Sequence, residues 1–463
     1  MRFTTLNVGE PRPKGRIGVP EVMYRMVPEQ VGAWVLTELP RLNQAILDDH
    51  APPGLLLSEL EEHVLSHLPE VAQLTPAQAQ RLVVLLGFVG ASVARHYQEH
   101  TPGGIEHPEH AFEPLTVGGA QIPFRAYFTA LAEHTGTGHY DRDSYSSLVR
   151  WNVGTVRVRL DDEVIAELPG VFDDGRIRSY TGTVGEERFF LLVKQGEAVE
   201  LAVNDLLCPL TRDRASLIGE DARHRVRAAT VLLATLRRLM VDFAALPAEE
   251  TMPPEMFMDV FRQFAAHWTS DDIPPSGALD PEALKRDFLL GLNLPDYDQQ
   301  ARRLFPALLE HERADLDELM SGPTLPQRLL AEIGADEHGL RLSDDGDLRR
   351  LVAHHPALID WYRLLNMHAR ASGAHLMLSK KFLFKPQRQR DDEGLGDRLL
   401  VSNRAGTTGM TETFLERVTR ARQDHTLAPL RPVLIAESPD NGSAAAVRSG
   451  RGAAGPVVVE LAG

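Results

Sequence analysis

Histidine is the conspicuous chemical resource of this chain, with 18 in 463 residues. His107, His110, His134 and His139 fall in loop-like segments without ligand spacing and are expected at the surface. The segment 364–385, LLNMHARASGAHLMLSKKFLFK, differs. It has helical periodicity, and His368, Ala371, His375 and Phe382 fall along one stripe. Residues seven apart lie nearly in register, because two helical turns take about 7.2 residues. Short side chains (Ala371, Ser372, Gly373, Ala374) precede His375. A flat macrocycle can approach a helix only over short side chains, and an imidazole rising from such a surface suits an axial ligand of haem iron. On spacing alone the plainer alternative, a satisfied core histidine, is favoured, and His368 is an equal rival for the ligand role.

Other chemistries leave no trace. There is no GxxxxGK[ST], no GxGxxG at a strand–helix junction, no GxSxG, no HExxH and no CxxC. The only cysteine, Cys208, cannot form an internal disulfide and is expected as a buried small hydrophobe at a helix end. The composition is 43% hydrophobic, 25% charged and 6% aromatic, ordinary for a globular chain with a real core. A formal net charge of −16 argues against nucleic-acid and anionic-membrane partners, which need clustered Lys and Arg. No stretch approaches about 20 consecutive apolar residues, and the first residues lack the apolar run of a signal peptide. A cytoplasmic location is the expectation.

The elements that must position these groups are mostly helical. Residues 1–20 carry three prolines and read as an irregular arm, with helical periodicity from about Val31. The segment 55–70 is amphipathic, and Thr75-Pro76 is a cap followed by a first-turn proline that starts a strongly apolar helix. Residues 101–120 read as a loop, followed by helices over 122–134 and 144–151. TVRVRL, EVIAEL and GRIRSYTGT alternate between Asp-Asp and Asp-Asp-Gly turn signals, which predicts a small sheet near 155–183. Helices are expected over 187–207, 221–245, 254–267, 281–291, 297–320, 324–333, 347–384 (interrupted at His355-Pro356) and 410–424. Pro253-Pro254 and Asp280-Pro281 mark two of their starts. Residues 386–409 read as a flexible loop and 438–463 as a mobile tail. No internal repeat is visible.

The run GAHLMLSKKFLFKPQRQ, a polar loop and then AGTTGMTETFLERVTRARQDHTLAPL resembles the C-terminal haem-binding region of the indoleamine 2,3-dioxygenase family. The resemblance places the proximal iron ligand at His375. Gly406-Thr407-Thr408-Gly409 stands where the family has Gly-Thr-Gly-Gly, and Thr426 ends the pattern. Upstream, MPPEMFMDVFRQFAAHW resembles the stretch that carries the family's carboxylate-binding arginine, here Arg262, and a distal aromatic, here Phe257. RFFLLVKQGEAVELAVNDLL resembles a distal-side helix, with Phe189 above the haem and Val193 where some members have serine. SYSSLVRWN, a weaker match, would place Ser146 and Ser147 over the iron. The match is patchy over about 30–430. The family's Gly- and Ser-rich motif is replaced by PPSGALDPEALKRDFLLGLNLPDY, and its propionate arginine falls on Ser372, near Arg370.

The resemblance implies an all-α, two-domain helical haem protein with a small β insertion. The expected divisions are an arm over 1–30, a small helical domain over 31–185, a large haem-binding domain over 186–437 and a tail over 438–463. It implies haem b held by His375, with dioxygen and a small aromatic amino acid or indole as reactants. Arg262 would clamp the carboxylate, Phe189 and Phe257 would pack the ring, and Gly406-Thr407 would close over the substrate. Oxygen insertion into the indole ring of tryptophan or a derivative is the expected reaction. A biosynthetic hydroxylation or rearrangement of an aromatic amino acid and a non-catalytic haem sensor are the alternatives. The assembly is expected to be a monomer or homodimer.

Overall fold

A computed structural model describes residues 21–138, 140–212, 215–247, 250–292, 294–395, 400–401, 410–436 and 456–462. The chain is mainly α-helical with a small sheet. The first half begins with α1 (Glu21–Leu47), α2 (Pro53–His63) and α3 (Pro76–His100). α1 takes in residues 21–30, which the sequence assigned to the arm because of its prolines. The Thr75 signal holds: its hydroxyl accepts from Gln78 N, Gln78 Oε1 accepts from Thr75 N, and Pro76 opens the helix. α3 has the length and apolarity of a membrane-crossing helix, but 78% of its most apolar window is buried in the protein. It forms the centre of one core with α1, α2, Phe112, Trp268 and α4 (Phe124–His134), which follows the short β1 (Thr116–Val117) and β2 (Ile122–Pro123).

β3 (Val156–Leu160) and β4 (Glu163–Leu168) form the expected hairpin. Asp161 and Asp162 make its two-residue turn, both at positive φ (52° and 65°), as a primed turn requires. Val156, Val158 and Leu160 alternate inward. Two expectations here are corrected. GRIRSYTGT is not a strand: side chains satisfy its backbone. Asn152 bonds Arg178 N and O, and Glu186 accepts from Tyr180 N, Thr181 N and the Thr181 hydroxyl. The end of the supposed mobile tail supplies β5 (Val457–Leu461), antiparallel to β3 in the order β4-β3-β5. The Val-Val-Val run has the branched side chains that a pleated edge favours.

The sheet packs on α5 (Val184–Leu207) and α6 (Glu220–Ala245), which build a second core. Cys208 caps the end of α5, half-buried, and burial pushes its thiol up to about 11. After α7 (Pro254–Met256) come α8 (Pro281–Leu289), α9 (Pro295–Leu304) and α10 (Glu310–Ser321). The segment 297–320 is thus two helices, broken at Phe305-Pro306, where proline cannot continue the ladder. α11 (Leu325–Glu332), α12 (Glu337–Leu342), α13 (Asp345–His354) and α14 (Ala357–Ser379) follow. Helix continues beyond α14 into α15 (Lys385–Glu393), where a loop was expected, and stops at Gly394 in the left-handed conformation (φ 69°). α16 (Glu412–Gln423) packs on α14, and α17 (Arg431–Ala436) on α13.

Candidate functional site

α14 lies between α6 and α16 and carries both candidate histidines. The structure separates them. His368 is buried, and its Nε2 is 2.8 Å from Asp287 Oδ1. His375, two turns on, faces a cavity of about 370 Å³, the low end of the range for small-molecule sites. Its ring is exposed to that cavity, and among the described residues no hydrogen bond holds it. Desolvation lowers its pKa to about 4, helped by the nearby Arg422 and Arg286, so the imidazole is neutral. A neutral imidazole with an open lone pair is a metal ligand in waiting. Ala371 and Ser372 line the same wall, and the buried Ser372 hydroxyl has no partner among the described residues.

An aromatic cluster lines the same cavity. Phe189 lies with its ring centroid 5.5 Å from Phe257 and 5.2 Å from Phe261, and Phe257 lies 6.1 Å from Phe382. Three π-helical turns border this space: Ser146–Arg150, Phe257–Phe261 and Lys380–Phe384. Each is closed by an i→i+5 bond, from Trp151 N to Ser146 O, Arg262 N to Phe257 O, and Lys385 N to Lys380 O. On an α-helix residues five apart point about 140° apart. The wider turn brings Phe257 and Arg262 to the same cavity. Such turns are rare and concentrate at functional sites.

Arg262 is 4% exposed, and desolvation lowers its pKa to about 10. It stays cationic at neutral pH and lines the cavity with Phe189, Val193 and Phe257. The structure does not bring Ser146 and Ser147 there. Both are buried, and Ser147 Oγ is occupied by Ser144 N and O. Their neighbours Tyr145, Leu148 and Val149 line the cavity instead. Gly406 and Thr407 lie outside the described residues, as does His139.

A charged wall completes the site, and sequence reasoning missed it. Asp287 on α8 accepts from Tyr297 OH at 2.6 Å, Arg422 Nη2 at 2.5 Å, Arg422 Nε at 3.2 Å and His368 Nε2. Burial acts to raise its pKa, but Arg422, His368 and Arg286 together hold the carboxyl well below its usual range. The neutral His368 therefore donates to an ionised Asp287. Next to it, Glu200 of α5 pairs with Arg286. Asp280 caps α8 through Glu282 N and Ala283 N, and burial with Glu200 beside it holds Asp280 well above the carboxylate range. Burial raises Glu200 as well, and Asp280 is the more strongly raised of the pair. The available signal was charge on apolar helical faces: Glu200 in EAVELAV and Arg286-Asp287 in LKRDFLL.

No protein-family model matches this chain, and no curated protein does.

Proposed function

We propose that the chain is a haem-dependent oxygenase acting on an aromatic amino acid, with the indole ring of tryptophan or a derivative as the favoured substrate. The observation that carries the reading is His375: a neutral imidazole, open to the cavity, with no protein partner among the described residues. The donor set fits haem b, which needs one such ligand and a face left open. Bound haem would supply the binding and activation of dioxygen.

The rest falls to side chains. His375 would hold the iron, with short Ala371 and Ser372 beside it. Asp287 gathers His368, Tyr297 and Arg422, and so fixes α14, α9 and α16 around the cavity. Arg262 would bind the substrate carboxylate, an ionic contact that strengthens in a dry site. Phe189 and Phe257 would pack the aromatic ring. Asp280, whose carboxyl burial and Glu200 hold well above the carboxylate range, hydrogen-bonds Glu200 within the charged wall.

The test is mass spectrometry of haem-loaded protein incubated with tryptophan, dioxygen and a reductant. A product heavier by the mass of one or two oxygen atoms, labelled from ¹⁸O₂ and absent with Arg262→Ala, is expected. Haem-loaded protein that turns over neither tryptophan nor substituted indoles would leave a haem sensor and overturn the oxygenase reading.

A further inference from the structure

We propose a second ligand site, away from the cavity: a divalent metal site of the zinc class on the last turn of α3, formed by His96, Glu99 and His100. One ligand atom from each residue lies within 4.8 Å of the others. The residues stand at i, i+3 and i+4, the spacing that places side chains on one helical face. The His96 and His100 rings are nearly parallel, 23° apart in plane, with centroids 6.1 Å apart. Glu99 and His100 are exposed, so rotamer changes alone draw them around an ion.

The second observation is the state of His96. It is 2% exposed, and its Nδ1 is buried without a hydrogen-bond partner. Its tautomer follows from its neighbours. Asn43 Nδ2 lies 2.9 Å from the carbonyl of Tyr180, which can only accept, and 3.0 Å from Ser92 Oγ. The Ser92 hydroxyl spends its proton on Phe88 O. Asn43 must therefore turn its NH₂ to these two and its Oδ1 to His96, 3.0 Å away. An oxygen acceptor there requires the proton of His96 on Nε2, which leaves a lone pair on Nδ1. This is how ligating histidines are oriented: the distal N–H donates to a carbonyl oxygen and the other nitrogen points its lone pair at the metal. A buried lone pair without a partner is otherwise a cost.

Two further features favour a cation. α3 is 25 residues long and ends at His100, so the partial negative charge of its C-terminus falls on this turn. Two imidazoles and a carboxylate are also a donor set suited to zinc. Against it stands Arg95, whose Nε lies 3.4 Å from Glu99 Oε2. That contact engages one carboxylate oxygen and leaves Oε1 for the metal. The other nitrogens of Arg95 bond the carbonyls of Val260 and Asp259 in the π turn. The site would thus staple α3 to α1 through Asn43, near an element that lines the cavity.

The experiment is zinc titration of the purified full chain against a competing chelator dye, with His100→Ala and Glu99→Gln alongside. Both substitutions are at exposed positions, and circular dichroism reports whether the fold persists. One tight equivalent is expected in the wild type, weakened at least 10-fold in each variant. Wild-type protein without a tight equivalent, or variants that bind zinc as the wild type does, would overturn the proposal.

Discussion

Replacing Asp287 by alanine is the sharpest structural test of how the cavity is held. The carboxylate is 2% exposed and takes donors from α9, α14 and α16, with Arg286 of its own helix beside it. Removing it strands Arg422 in a protein interior and frees the Tyr297 hydroxyl and His368 Nε2. Breaking a buried ion pair by deleting one partner costs about 3–5 kcal/mol, several times the ~0–1 kcal/mol of a surface pair. Against a total stability of about 5–15 kcal/mol, that is a large fraction. The pH dependence has a definite sign. Unfolded aspartate titrates near 3.9, and the folded value is lower. The carboxylate's contribution is therefore complete above about pH 4 and is lost only as pH falls through the depressed folded value. Urea unfolding followed by circular dichroism at pH 7 and pH 5 should show the same deficit, about 3–5 kcal/mol. A deficit under about 1 kcal/mol, the surface-pair value, would refute a desolvated hub, and a deficit that vanished at pH 5 would refute the depressed pKa.

Other perturbations have equally definite outcomes. Lys194 is fully buried, its ammonium satisfied by the carbonyls of Arg150, Val153 and Pro169, and desolvation lowers its pKa to about 7. Lys194→Met should lose at least about 1–3 kcal/mol by stranding carbonyls. Because the folded pKa lies below the unfolded value of about 10.4, the wild type gains stability between pH 7 and 10 and the variant does not; thermal melts across that range decide it. Gly90→Ala drives a Cβ to 2.2 Å from the Trp268 ring, and overpacking of this kind costs about 1–3 kcal/mol, read as a lower Tm. Arg262→Ala should weaken tryptophan binding by about 10–100-fold, the loss of a charged hydrogen bond worth about 1.5–3 kcal/mol, while leaving the haem spectrum intact. Unchanged affinity in a calorimetric titration would remove the carboxylate role.

What the sequence disclosed followed local rules. The Thr75 cap, the Asp161-Asp162 turn and the long helices carry short-range signals that tertiary packing did not override. Two features were illegible for opposite reasons. The strand β5 pairs with β3 across about 300 residues of chain, and no local pattern announces a partner at that distance. The π turns differ from α-helix by a single hydrogen-bond step, invisible in apolar periodicity. They also change which residues share a face, which is why Phe257 and Arg262 meet although α-helical spacing would separate them. Helical spacing makes His368 and His375 equals, but in the structure only His375 lines the cavity. What distinguished them was a partner for His368, Asp287, 81 residues away in the chain.

The proposal is that His375, and not His368, would hold haem iron. Its most direct test is the absorption spectrum of the protein expressed with a haem precursor, compared among wild type, His375→Ala and His368→Gln. A Soret band in the wild type and in His368→Gln, lost in His375→Ala and restored there by added imidazole, is the expected result. A colourless wild type, or a Soret band that survives unchanged in His375→Ala, would contradict it.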